Sequence, residues 1–115
     1  MIFLDTETYS ETPIKYGTYR YTADCEVMVL SWAVDDGPVS VLDLTQSGSG
    51  FLLPEELFDE SQTIVAHNAM FDRNVLKMSR NVGLDIPIAR WQCSMVRALA
   101  HGLPGSLDAL GGILG

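Results

Sequence analysis

The sequence predicts an α/β fold: a mixed sheet with a three-strand antiparallel meander and further parallel strands, flanked by helices. Three observations lead there. Short apolar runs rich in β-forming residues occur at 1–5, 27–34, 39–44 and 63–66. Asp35-Asp36-Gly37-Pro38 separates the second run from the third, and Asp-Gly between two such runs is a hairpin signal. Directly after the fourth run, Phe71, Val75, Met78 and Val82 recur at helical spacing.

Taken in order, residues 1–5 read as a strand buried on both faces. The segment through Tyr21 is rich in Thr, Tyr, Ser and Gly and reads as a loop. The hairpin follows, and then Gln46-Ser47-Gly48-Ser49-Gly50, whose composition is that of a flexible connection. Pro54 can open a short helix over 54–59, because proline suits the first turn. The fourth strand, 63–66, leads into a helix over 69–82 with Gly83 as its stop. A short strand at 88–93, a helix at 94–101, the Leu103-Pro104-Gly105 turn and a last helix capped by Ser106 complete the chain. In this order the first and fourth strands can lie side by side and parallel, joined by a right-handed crossover.

The 115 residues suffice for one hydrophobic core, and a single domain over 1–115 is expected. No apolar run is long enough to span a bilayer and no secretion signal opens the chain, so no membrane partner is expected. The expected compartment is the cytoplasm. Cys25 and Cys93 are far apart and read as free thiols. The net charge of −8 argues against indiscriminate duplex binding, which draws on Lys and Arg. It does not argue against a nuclease, whose carboxylates gather cations that meet the phosphate.

Asp5 and Glu7 are two apart on a strand, so their carboxylates point the same way and can flank one cation. A solvated strand end is the plainer reading of the pair. The turn His67-Asn68-Ala69-Met70-Phe71-Asp72 follows the fourth strand and would face the same rim if the first and fourth strands are neighbours. With Phe71 in the buried stripe, a rotation of about 100° per residue aims Asp72 toward that rim. Its plainer reading is an acidic residue complementing the helix dipole. Arg73, Lys77 and Arg80 share one helical face that can touch phosphates or simply face solvent. Tyr19, Tyr21, Trp32 and Trp91 are stacking platforms or core, and His67 and His101 receive no catalytic role.

Together these motifs resemble the first two of the three acidic motifs of the proofreading exonuclease superfamily, whose members carry Asp, Glu, Asp and Asp on a ribonuclease-H-like fold. Leu4-Asp5-Thr6-Glu7-Thr8-Tyr9-Ser10, Gly17-Thr18-Tyr19-Arg20-Tyr21, Asp36-Gly37-Pro38, the His67 to Asp72 turn and Trp91-Gln92-Cys93-Ser94-Met95 look like the N-terminal 3′-5′ exonuclease portion of phage-type family A DNA polymerases. The resemblance implies hydrolysis of phosphodiester bonds at DNA 3′ ends with two magnesium or manganese ions. Asp5 and Glu7 would hold one ion beside the attacking water, and Asp5 and Asp72 a second at the leaving 3′-oxygen. Thr6, Thr8 and Asn68 would lie against the single-stranded 3′ end. For Asn68 a turn or cap hydrogen bond is the plainer alternative, and for the threonines it is β propensity.

The third motif of that superfamily, an Asp preceded by Tyr or His on a late helix, has no counterpart here. Only Asp85 and Asp108 follow Asp72, and Asp108 reads as a helix-dipole residue. The domain is therefore expected to be C-terminally incomplete. The missing carboxylate is expected from a polymerase domain, a second chain or a homo-oligomer that also covers the core. The alternative is a non-catalytic accessory or binding module that keeps the exonuclease fold. No polymerase activity is expected.

Overall fold

The structure, a computed structural model, describes residues 1–45 and 53–115. The flexible connection expected at 46–50 lies outside the described residues. Among the described residues five strands form one mixed sheet: β1 (Ile2–Ser10), β2 (Cys25–Val34), β3 (Ser40–Asp43), β4 (Ile64–Ala66) and β5 (Trp91–Cys93), in the order β3-β2-β1-β4-β5. The pairs β1/β2 and β2/β3 are antiparallel, and β1/β4 and β4/β5 are parallel. The meander, the central first strand and its parallel neighbour agree with the expectation, and the arrangement is consistent with a ribonuclease-H-like fold.

Among the described residues four α-helices flank the sheet: α1 (Thr18–Ala23), α2 (Ala69–Met78), α3 (Ser94–Ala100) and α4 (Leu107–Leu114). The core lies between the sheet and α2, where Ile2, Leu4, Val27, Leu30, Ile64, Val75 and Leu76 are buried together. Burying such side chains supplies about 1.5–3 kcal/mol each and drives the packing.

The first strand departs from its expected form in two ways. It is buried on one face only: Ile2 and Leu4 point into the core, while Phe3, 43% exposed, Asp5 and Glu7 face outward. It also continues to Ser10 instead of ending near Asp5, because the hairpin with β2 supplies hydrogen-bond partners as far as Ser10↔Cys25. Parallel pairing stops much earlier, at Phe3↔Val65. Asp5 thus stands two residues beyond the last parallel pair, where the neighbouring chain turns from β4 into α2.

The segment expected to be a loop through Tyr21 holds a 3-10 turn (Ile14–Tyr16) and α1. Gly17, with φ +103°, makes the junction between them, a conformation that a residue with a Cβ rarely adopts. Buried Thr22 ends its hydroxyl's search for a partner locally by donating to the Thr18 carbonyl at 2.9 Å. Helix α2 stops at Met78, several residues before Gly83, since Ser79 turns extended at ψ 143°. The Asn81 side chain then works as a strand partner: Val27 N–H donates to it at 3.0 Å and it donates to the Val27 carbonyl at 2.8 Å. That pairing ties the exit of α2 to β2. The expected helix at 54–59 and the start of the expected strand at 88–93 are 3-10 turns, Glu55–Phe58 and Ile88–Arg90. At the far end, Ser106 caps α4 as expected, accepting from Ala109 N–H at 3.3 Å.

Candidate functional site

The carboxylates of Asp5 and Glu7 are both exposed on the outward face of β1, beside Phe3. Strand alternation puts them there and puts Thr6 and Thr8 on the opposite, core-facing side. Both threonine hydroxyls are engaged within the fold. Thr6 donates to Asp72 at 2.6 Å, and the Thr8 hydroxyl lies 2.8 Å from the Tyr21 hydroxyl.

Asp72 does not sit on an open rim. It is 3% exposed, on the inward face of α2 with Ala69, Val75 and Leu76, while Phe71 is only half-buried. The buried stripe is therefore set one residue away from the expected one. A residue-level count of apolar positions could not separate the two phases, because α2 is rotated to pack Leu76 into the core and this carries Asp72 inward. Burial pushes the Asp72 carboxyl up from its ordinary 3.8 to about 7, against the downward pull of the Thr6 hydrogen bond, and the negative charge of Asp5 adds to the rise. Asp72 and Asp5 stand on two different elements, and the charge of Asp5 makes the smallest of these contributions.

These groups meet the needs of a hard divalent cation in part. Carboxylate oxygens are the right donors, and a cation between Asp5 and Asp72 would relieve the desolvation and repulsion that raise the latter. Among the described residues, however, no group of three or more His, Cys, Asp or Glu side chains is gathered closely enough to hold a metal ion. The residues present fit a partial ligand set.

Asn68 occupies the position before α2 in the left-handed region, φ 64° and ψ 60°, and its exposed side chain makes no capping hydrogen bond. The turn it makes is stabilised instead by the Cys93 sulfur, which accepts from the Ala69 N–H at 3.3 Å. Burial raises the Cys93 thiol, yet the surrounding amides of Ala69, Val96, Met95 and Asn68 outweigh it and hold the thiol below its ordinary value. His67 is also tied down. Its Nε2 donates to the Gly105 carbonyl at 2.6 Å, which leaves Nδ1 of a neutral ring to accept from the Ser94 hydroxyl at 3.0 Å. These links between β4, α3 and the turn before α4 were invisible to spacing arguments, since their partners lie 24 to 38 residues apart.

The basic face of α2 is taken up by structure. Arg73 and Lys77 face Asp85, Arg73 also donates to the Ile86 carbonyl, and Arg80 pairs with Asp24. Of the aromatic residues, Tyr21, Trp32 and Trp91 pack against the core and Tyr19 is 77% exposed. No helix among the described residues is long and apolar enough to cross a membrane.

No family model matches the sequence. A DNA polymerase of Bacillus phage SP02 is 39% identical to it over 114 residues, a match that takes in 93% of this chain. The chain is related to phage DNA polymerases. It spans 17% of that relative's length.

Proposed function

We propose that this chain is part of a metal-dependent 3′-to-5′ exonuclease module that removes nucleotides from single-stranded DNA ends. One observation carries the reading: a buried carboxylate, Asp72 of α2, accepts from the Thr6 hydroxyl on β1, the strand that also carries Asp5 and Glu7. A domain that only needed to be stable would gain by replacing a buried carboxyl with an apolar group. The relationship to a phage DNA polymerase supports a role beside DNA synthesis, where cleavage of a misplaced 3′ end is useful chemistry.

In this reading Asp5, Glu7 and Asp72 would each contribute a carboxylate to a magnesium or manganese site that other groups complete, and the metal would supply an activated water and charge neutralisation at the phosphate. The chain's own contributions are positional. Thr6 orients Asp72, the β1 alternation orients Asp5 and Glu7 together, and exposed Asn68 borders the approach of the strand. The ligand set is completed by another segment or chain, because the described residues alone do not gather three such side chains closely enough to hold a metal ion. The polymerase domain, a partner chain or a second copy are its sources.

Digestion of a 3′-labelled single strand with manganese tests this, comparing the chain and a longer polypeptide that contains it with the Asp5→Ala variant of each. Metal-dependent, stepwise loss of the label that Asp5→Ala abolishes is the expected result. An inactive longer polypeptide, or activity indifferent to Asp5→Ala, would leave the non-catalytic binding module as the better reading.

A further inference from the structure

Pairing between β1 and β2 runs residue for residue from Ile2↔Val34 to Glu7↔Val29, then passes over Met28 and resumes at Thr8↔Val27. The residue left over on β2 makes a β-bulge, and it falls directly after Glu7. Bulges bend a strand and re-aim its side chains. Because side chains alternate at every residue, a slip of one position there would carry Glu7 toward the core and Thr8 outward. Parallel pairing with β4 has already ended at Phe3↔Val65, so past that point β1 rests on β2 alone among the described strands.

The pair just beyond the bulge is held on both strands by side chains from elsewhere. On β2, the Asn81 amide holds the Val27 backbone. On β1, the Thr8 hydroxyl lies 2.8 Å from the hydroxyl of Tyr21, a half-buried residue of α1. The Tyr21 ring packs against Phe71 of α2, with centroids 5.9 Å apart and planes at 35°. Phe71 directly precedes Asp72, so Tyr21 touches both the strand that carries Asp5 and Glu7 and the helix that carries Asp72. Packing on Phe71 asks only for the ring, which Phe would supply equally well. The hydroxyl is needed for Thr8.

We propose that Tyr21 is a positioning residue for the acidic site: through Thr8 it pins β1 just past the bulge and keeps Glu7 on the side of Asp5, and through Phe71 it sets the approach of α2. Thr6 and Thr8 flank Glu7, and each is anchored by its hydroxyl, one to Asp72 and the other to Tyr21. Such anchoring matters to a carboxylate that has to meet a cation, because a misplacement of about 1 Å costs on the order of a hundredfold in rate. The inference rests on the exonuclease reading of Asp5, Glu7 and Asp72 and adds to it a residue that acts through Thr8 and Phe71.

Tyr21→Phe keeps the ring and removes the hydroxyl. In the chain without metal or DNA, amide hydrogen exchange over residues 7–10 is expected to quicken about three- to tenfold, the change that loss of one net hydrogen bond gives, with residues 2–4 unchanged. In a longer polypeptide that contains this chain, kcat for manganese-dependent removal of a 3′ label is expected to fall about tenfold while KM for the oligonucleotide stays within about twofold. Thr8→Val breaks the same bond from the other side, and the double variant is expected to lose no more than either single one. Tyr19→Phe alters the hydroxyl of an exposed side chain on the same helix and is expected to match wild type in both measurements. Exchange that is unaltered or rises evenly over the sheet, kcat at the wild-type level, or a loss in KM alone would overturn the proposal. A longer polypeptide that cuts nothing even when unaltered would remove the nuclease reading, and exchange over residues 7–10 would still decide whether Tyr21 pins the strand.

Discussion

Replacing Asp72 by Asn should stabilise the protein, and the gain should grow with pH. The carboxyl is moved from 3.8 to about 7 chiefly by burial. At about 1.4 kcal/mol per pH unit, that displacement amounts to about 4 kcal/mol. Below pH 3.8 the group is protonated in both folded and unfolded chains and contributes no penalty. Between there and pH 7 the unfolded chain has released its proton and the folded chain still holds it, so stability falls as pH rises through the window. Above about 7 the full penalty is present. Asn fills nearly the same volume, carries no charge and can still accept from the Thr6 hydroxyl. Urea unfolding followed by circular dichroism at half-unit steps from pH 4 to pH 8 measures the difference between the two proteins, in which the titration of every other group cancels. The difference should be small near pH 4 and approach about 4 kcal/mol by pH 8. A constant difference across the range, or a less stable variant at pH 8, would refute the account of Asp72 as a buried carboxyl held at a cost to stability.

Three other outcomes follow from the same geometry. Thr6→Val removes the one hydrogen bond that favours ionised Asp72, so it should extend the falling limb of the stability profile to higher pH and cost about 1–3 kcal/mol at pH 8, with little effect at pH 4. Arg90→Ala should destabilise by about 2–3 kcal/mol in a denaturant titration, because it strips donors from the carbonyls of Gln62, Leu57 and Glu56, whereas Arg97→Ala on an exposed face should stay within about 0.5 kcal/mol. Iodoacetamide at neutral pH should label Cys93 well before Cys25, as shown by peptide mass analysis, since amides lower the half-buried Cys93 thiol while burial raises that of Cys25. Equal labelling would contradict the described environment of Cys93.

Much of this molecule is legible in its residues alone. The Asp-Gly turn fixed the β2/β3 hairpin because Asp35 can take a positive φ, here 49°, and Gly37 closes the turn by donating to the Val34 carbonyl at 2.9 Å. Local chemistry of this kind is written in adjacent residues. The same holds for the Ser106 cap and for the shared face of Asp5 and Glu7, which follow from neighbours in sequence and from strand alternation. The length of β1 was not legible, since a partner strand, not the residues of 6–10 alone, supplies its hydrogen bonds. Nor was the rotation of α2. Either phase of that helix presents apolar side chains, and only packing against Ile2, Leu30 and Ile64 selects the phase that buries Leu76 and Asp72 together.

The sequence by itself determined the order of the strands, the helices that follow β4, the meander and the acidic residues worth weighing, because each depends on periodicity and turn chemistry within a few residues. The tertiary structure alone decided that Asp72 is buried against Thr6 and that the cations of α2 are spent on Asp85 and Asp24. Those outcomes depend on which surfaces meet across long separations in the chain, where core packing fixes the orientation of each element and every polar side chain must accept the neighbours it is given.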